Sequence, residues 1–262
     1  MAAEQGATPS RLSLPQVTLC AASSVNVIAT IGALEYSLKQ IDFAAAKLFT
    51  DVPVQSDHPD ITIVPIKRLD SSRAYSDFML KDMMNHVDTS HCLVTQWDGH
   101  VLNAKRWKPE FLDYDYIGAS WPQFSDGHDV GNGGFSLRSR RLMALCCNHD
   151  FIPSHPEDLA IARFNRIWLE EREMRFAPKE IADLFSAERA GDISNSFGFH
   201  GAWHMPQALG IDAFWSLYRD LDDRGTIRHD FKGILKQVLH ERAGWKRALG
   251  LIKDQTFHRS GR

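Results

Sequence analysis

His91-Cys-Leu-Val-Thr95 followed by Gln96-Trp97-Asp98-Gly99-His100 decides how the chain is read. His91–Thr95, with Cys92-Leu-Val94 at its centre, predicts a short buried strand. It leads without a spacer into a tight turn that carries an acid. An acid at the C-terminal end of a strand is placed to hold a divalent cation and a phosphate, since hard oxygen ligands suit Mg2+ or Mn2+. An Asp-Gly turn also occurs with no ligand at all, so the motif alone leaves both readings open.

Upstream, Val17-Thr-Leu-Cys20, Lys47-Leu-Phe-Thr50 and Ile61-Thr-Ile-Val64 predict strands, and residues from about Val25 to Gln40 and from Tyr75 to Val87 predict helices. The order strand, helix, strand, strand, helix, strand predicts an α/β fold with a mixed, mostly parallel sheet flanked by helices. Such sheets bind ligands beyond the carboxyl ends of their strands. That marks the residues after Cys20 and after Thr95. Downstream, Tyr116-Ile-Gly and a glycine-rich turn from Val130 into Leu137 predict short strands, and Ser196–His200 a strand or loop. Helices are expected over Ser139–Cys147, from Ser154 to about Arg172, from Pro178 to about Ala190, and through the last 50 residues.

The 262 residues are 44% hydrophobic and 24% charged, which fits a globular chain of one or two domains. Four cysteines without a CxxC pair predict reduced thiols rather than a disulfide framework or a thiolate zinc site. Residues 1–13 read as a disordered leader without the apolar core of a signal peptide. No stretch has the roughly 18 to 20 apolar residues of a membrane span, so a cytoplasmic location is expected. The net charge of −3 is uneven: from Phe231 onward eight Lys/Arg face two Asp/Glu, leaving 22 against 31 elsewhere. An acidic body disfavours nucleic acid as a partner.

Three further constellations stand out. Gly131-Asn-Gly133-Gly134 permits close backbone approach to a ligand but is no dinucleotide fingerprint; a hairpin or bulge is the plain alternative. Ser154 with Glu157 reads as a capping box with Pro156 in the first turn, which accounts for Glu157 and leaves Asp158 free. An acid in the first helical turn stays ionised near the positive dipole end and serves as a general base, though two acids also simply favour a helix start. His200 sits between Phe199 and Gly201 as a metal ligand or a core histidine.

Together, Gln96-x-Asp98-Gly, Gly131–Arg138, Pro156-Glu157-Asp158, Phe199-His200 and Tyr114–Trp121 resemble glycosyltransferases of the GT-A fold. The closer similarity is to a glycosyltransferase-like family of unknown function, and it spans about residues 14–206. The resemblance implies a GT-A-like fold over 14–208, with a helical basic extension over 209–262. It implies transfer of a sugar from a nucleotide-sugar donor, a UDP-sugar, to a hydroxyl of a glycan, lipid-linked or other acceptor. By the same resemblance, Mn2+ or Mg2+ is held by Asp98 and His200. Asp158 is then the base, with Glu157 as its rival, and a single displacement inverts the sugar. Carried over in the same way, Cys20, Ala22 and Ser24 line the nucleoside, with Gln96 and Trp97 close by. Tyr75, Ser76 and Lys81 are weaker candidates for nucleotide contacts, and an ordinary amphipathic helix with a solvated lysine explains them as well. Gly133 and Gly134 admit the donor sugar or acceptor.

Gln96 departs from the family pattern, which has an acid there. The loss of one negative charge weakens a metal site and supports an alternative: a non-catalytic nucleotide-sugar or glycan-binding protein. A metal-dependent hydrolase finds no HxxEH, HxH or paired-Asp motif. In the extension, Phe231, Ile234, Leu235, Val238, Leu239, Trp245, Leu249 and Ile252 recur at helical spacing among Lys232, Lys236, Arg242, Lys246, Arg247 and Lys253. That pattern fits peripheral contact with an anionic membrane and equally fits a helix pair packed on the body.

Overall fold

The computed structural model describes residues 11–241 and 244–257. β1 (Leu12–Ala22) lies at the centre because Val17–Ala22 carries no charge and is buried throughout. β2 (Ile41–Thr50) pairs with it on one side after helix α1 (Val27–Leu38), and β3 (Ile61–Pro65) adds beyond β2. Helix α2 (Ser72–Asp77) continues as a π turn over Phe78–Asp82 and a 3-10 turn over Met83–His86. β4 (His91–Thr95), buried at every residue, then pairs parallel with the other side of β1.

After β4 come β5 (Gly99–Val101), β6 (Tyr116–Ile117) and β7 (Phe135–Ser139). β7 runs antiparallel to β4, and β6 antiparallel to β7, completing a sheet of order β3-β2-β1-β4-β7-β6. The expected mixed, mostly parallel sheet is therefore present. The antiparallel register sets Thr95 opposite Phe135. The residues just after β4 and just before β7 are thereby forced together at one end of the sheet.

Helix α3 (Arg140–Cys146) is capped by the Ser139 hydroxyl, which accepts from Leu142 N–H. α4 (Glu157–Leu159), a π turn over Ala160–Phe164 and α5 (Arg166–Glu170) replace the single helix expected from Ser154. Ser154 is not its cap: the helix begins after Pro156, which is extended, and the Glu157 side chain turns to Arg138 instead. α6 (Lys179–Phe185) ends before the expected Ala190, because β8 (Ser186–Ala187) pairs with β9 (Gly198–His200). β9 also pairs antiparallel with β5, making a second, three-stranded sheet. Its register sets Gly99 opposite His200, and a Cβ at Gly99 would lie 2.6 Å from the Phe199 carbonyl oxygen.

β1 begins at Leu12, inside the expected leader 1–13; residues 1–10 lie outside the described residues, as does Arg242. The C-terminal part folds into α7 (Met205–Leu209), α8 (Ile211–Arg219), α9 (Phe231–His240) and α10 (Gly244–Phe257). Phe214, Tyr218, Ile227, Ile234, Val238 and Leu251 pack in one core with Ala187, Phe199 and Met205 of the second sheet and its sequel. Burying six large side chains contributes on the order of 10 kcal/mol, comparable to the whole stability of a domain. A chain ending at residue 208 should therefore show no cooperative thermal transition; a sharp transition at the full-length melting temperature would contradict that shared core. Among the described residues, no helix is long and apolar enough to cross a membrane.

Candidate functional site

A cavity of about 440 Å3 opens where β1 and β4 end. Its wall gathers residues from five separate stretches: Ala22 at the end of β1 and Ser24 just after it, Tyr75 and Ser76 from α2, Gln96 and Trp97 after β4, Gly133 and Gly134 before β7, and Glu157 and Asp158 at α4. His200, at the end of β9, completes the set. Three expected residues are not on the wall: Asp98, which lies behind it, Cys20 and Lys81. Cys20 points into the core against Phe78, Met79 and Cys92 and is wholly buried. Lys81 lies on the solvent side of the π turn, paired with Asp77 at 3.5 Å.

His200 is the hub of one side. Its Nε2 is 3.2 Å from Gln96 Oε1 and 3.4 Å from Asp98 Oδ1, and its Nδ1 is 3.3 Å from Glu188 Oε1. Burial opposes a charge on this imidazole, but Asp98 and Glu188 outweigh it and hold its pKa well above the ordinary value. Gln96 in turn donates from Nε2 to the Tyr75 hydroxyl at 2.8 Å. Asp98 is buried behind this layer, and its Oδ1 accepts no hydrogen bond.

A buried carboxylate oxygen that makes no hydrogen bond, and whose one close partner among the described residues is the His200 ring at 3.4 Å, fits a hard divalent cation alongside an amide oxygen. The fit is partial: among the described residues, no group of three His, Cys, Asp or Glu is arranged to hold a metal. A cation here needs oxygens from its ligand.

The opposite side is built around a buried ion pair. Arg138 Nη2 donates to Glu157 Oε1 at 3.0 Å, with the two side chains 1% and 6% exposed. Asp158 is half-buried on the cavity wall, and its Oδ1 accepts from Leu159 N–H at 2.8 Å. Burial, then the neighbouring Glu157 charge, pushes its pKa up to about 6. Between the two sides lie Gly133 and Gly134. A Cβ at Gly133 would sit 2.0 Å from Glu157 Oε1, and one at Gly134 2.1 Å from His200 Nε2. Both positions require glycine for the two sides to approach so closely.

Sequence reasoning did not find Glu188, Thr226 or Asn26. Glu188 follows a two-residue strand, too short to announce itself. Thr226 reaches the cavity wall from the C-terminal helices. It is held by Asn26, which is buried in the left-handed region (φ 59°) and accepts from Asp223 N–H at 3.0 Å. Arg138 did leave a signal: a charge inside an otherwise uncharged strand needs a buried partner.

Residues 59–200 match the model of a family described as "Protein of unknown function (DUF5672)". The chain belongs to this family. The DUF5672 match opens just before β3 and ends on His200, so it contains Asp98, both cavity glycines, Glu157 and Asp158. Among solved structures, the chain is similar to the galactosyltransferase LgtC, crystallised with donor and acceptor sugar analogues. The two are 14% identical over 79% of this chain and 96% of that chain, with a TM-score of 0.41. None of the curated proteins matches the chain.

Proposed function

We propose that this chain is a glycosyltransferase that moves a sugar from a UDP-sugar to an acceptor hydroxyl with inversion. One observation supports the reading most. Gln96 and His200, with Asp98 buried behind them, and the half-buried Asp158 face one cavity from opposite sides, bridged by Gly133 and Gly134. A leaving diphosphate belongs beside the first group and an incoming hydroxyl beside the second.

In this mechanism, Ala22, Ser24 and Tyr75 bind the nucleoside end of the donor. Asp98 and His200 would hold Mn2+ or Mg2+, with the Gln96 amide oxygen alongside. When bound, the cation supplies positive charge that offsets the charge growing on the leaving diphosphate. Glu188 accepts from His200 Nδ1–H and so leaves Nε2 facing Asp98. Asp158 takes the proton of the acceptor hydroxyl as the oxygen bonds to the anomeric carbon. The bond from that carbon to the diphosphate breaks, and nucleoside diphosphate leaves. Glycans and lipid-linked sugars have such hydroxyls, and the cytoplasm supplies such donors.

The test is thermal denaturation with a panel of UDP-sugars, with and without Mn2+. Stabilisation should grow with ligand concentration and reach about 2.7 kcal/mol at a hundredfold excess over Kd. Asp98→Ala should abolish the part that needs Mn2+. Equal stabilisation of the Asp98→Ala protein would remove Asp98 from the metal site.

A second reading has an observation behind it. The Gln96 amide is engaged on both ends, by Tyr75 and His200, where an acid would add charge for a metal. A protein that binds nucleotide sugars without turning them over keeps this arrangement. Slow hydrolysis of bound donor in the absence of acceptor separates the two: an enzyme shows it and a binding module does not.

A further inference from the structure

α9 and α10 present a surface that the cavity does not use. α10 turns Gly244, Ala248 and Leu251 inward and Trp245, Leu249 and Ile252 outward, 58%, 57% and 41% exposed. Spacings of four and three put those three on one face of the helix. Leu239 of α9 is 52% exposed as well. Between the helices runs a groove of about 570 Å3, lined by Phe231, Leu235 and Ile252, with Arg228 and Lys232 at its edge. The amphipathic pattern thus divides. Ile234 and Val238 of α9 and Leu251 of α10 join the core, while Trp245, Leu249 and Ile252 of α10 remain on the surface.

The charges on this surface divide too. Arg247 is held by Asp212, and Asp254 is turned to Tyr218 and Arg224. The lysines in ion pairs among the described residues are Lys81 and Lys108. Lys232, Lys236, Lys246 and Lys253 therefore stand exposed with no carboxylate partner among those residues. Lys246 Nζ is 5.5 Å from the Trp245 ring centroid.

We propose that the α9–α10 face docks on an anionic membrane surface, Trp245, Leu249 and Ile252 entering the headgroup region and the four lysines facing lipid phosphates. Charge complementarity selects this occupant. A two-fold dimer through the same face would oppose lysine to lysine, whereas anionic lipid attracts each one. Tryptophan beside lysine is a composition that settles at a bilayer interface, with ring and methylenes in the apolar boundary and amines in water. The inference does not depend on the sugar-transfer reading.

Co-sedimentation of the full chain tests it. The vesicles are phosphatidylcholine alone and phosphatidylcholine mixed with phosphatidylglycerol. The chain should pellet with the mixed vesicles, release as salt is raised, and ignore the neutral ones. Each lysine changed to glutamine should weaken partitioning about fivefold. The triple variant Trp245→Ser, Leu249→Ser, Ile252→Ser should weaken it at least tenfold with an unchanged melting temperature, since all three side chains are exposed. No partitioning of the unmodified chain, or equal partitioning of both variants, overturns the proposal. So does a concentration-dependent dimer of the unmodified chain that the triple variant abolishes, which would assign the face to a second copy.

Discussion

Asp158→Asn should leave donor binding intact and lower sugar transfer about a thousandfold, the range of a lost general base. The unmodified protein should lose activity as pH falls through about 6, because the carboxylate must be ionised to take a proton and its pKa is raised to about 6. The same shift has a consequence for stability with a defined sign. In the unfolded chain Asp158 releases its proton near its ordinary value of 3.8; in the folded chain it holds it to about 6. Folding is therefore penalised as pH rises from about 4 to 6, and the full cost, on the order of 2 kcal/mol, persists above. Asparagine removes that cost. The variant should melt several degrees higher than the unmodified protein at pH 8, and the gain should vanish below pH 4. Full turnover by Asp158→Asn would take the base role away from this residue. A lower melting temperature at pH 8 would show that the carboxylate is not held against its charge.

The elements that the sequence makes legible are those whose local pattern and burial agree. His91–Thr95 has an apolar centre, Cys92–Val94, is buried throughout, and is a strand with the expected ends. The meeting of Asp98, the two glycines and His200 is legible only as a set of motifs. What brings them together is pairing between distant strands: Thr95 opposite Phe135, and Gly99 opposite His200. No local property of either segment encodes that register. The misplacements have the same origin. Cys20 shares the face of Ala22, two residues on, but lies further inside the sheet, covered by Phe78 and Met79 where the cavity does not reach. Lys81 belongs to a turn whose backbone widens to a π form and whose outer face meets water. Ser154 and Glu157 have the spacing of a cap, yet a buried guanidinium 19 residues upstream outcompetes the local hydrogen bond.

That guanidinium separates the two acids experimentally. Glu157→Gln should destabilise the fold by about 3–5 kcal/mol, because it leaves Arg138 buried without a countercharge. Arg138 has little else to rely on. Its Nε donates to Ser136 Oγ at 3.1 Å and its Nη2 to the Gly133 carbonyl at 3.4 Å, while its Nη1 has no partner. The melting temperature should fall by about 10 °C. Donor binding, measured well below that temperature, should persist. Replacing both partners, Arg138→Met with Glu157→Leu, should recover much of the loss, since the pair is then removed rather than broken. A pure base would behave otherwise. If Glu157→Gln kept the melting temperature and lost transfer, Glu157 would be the group that deprotonates the acceptor, and Asp158 only its neighbour. The outcome expected here is the reverse. The more buried acid holds the β7 end of the cavity in place through Arg138. The half-buried one, poised near neutrality, is left to meet the acceptor.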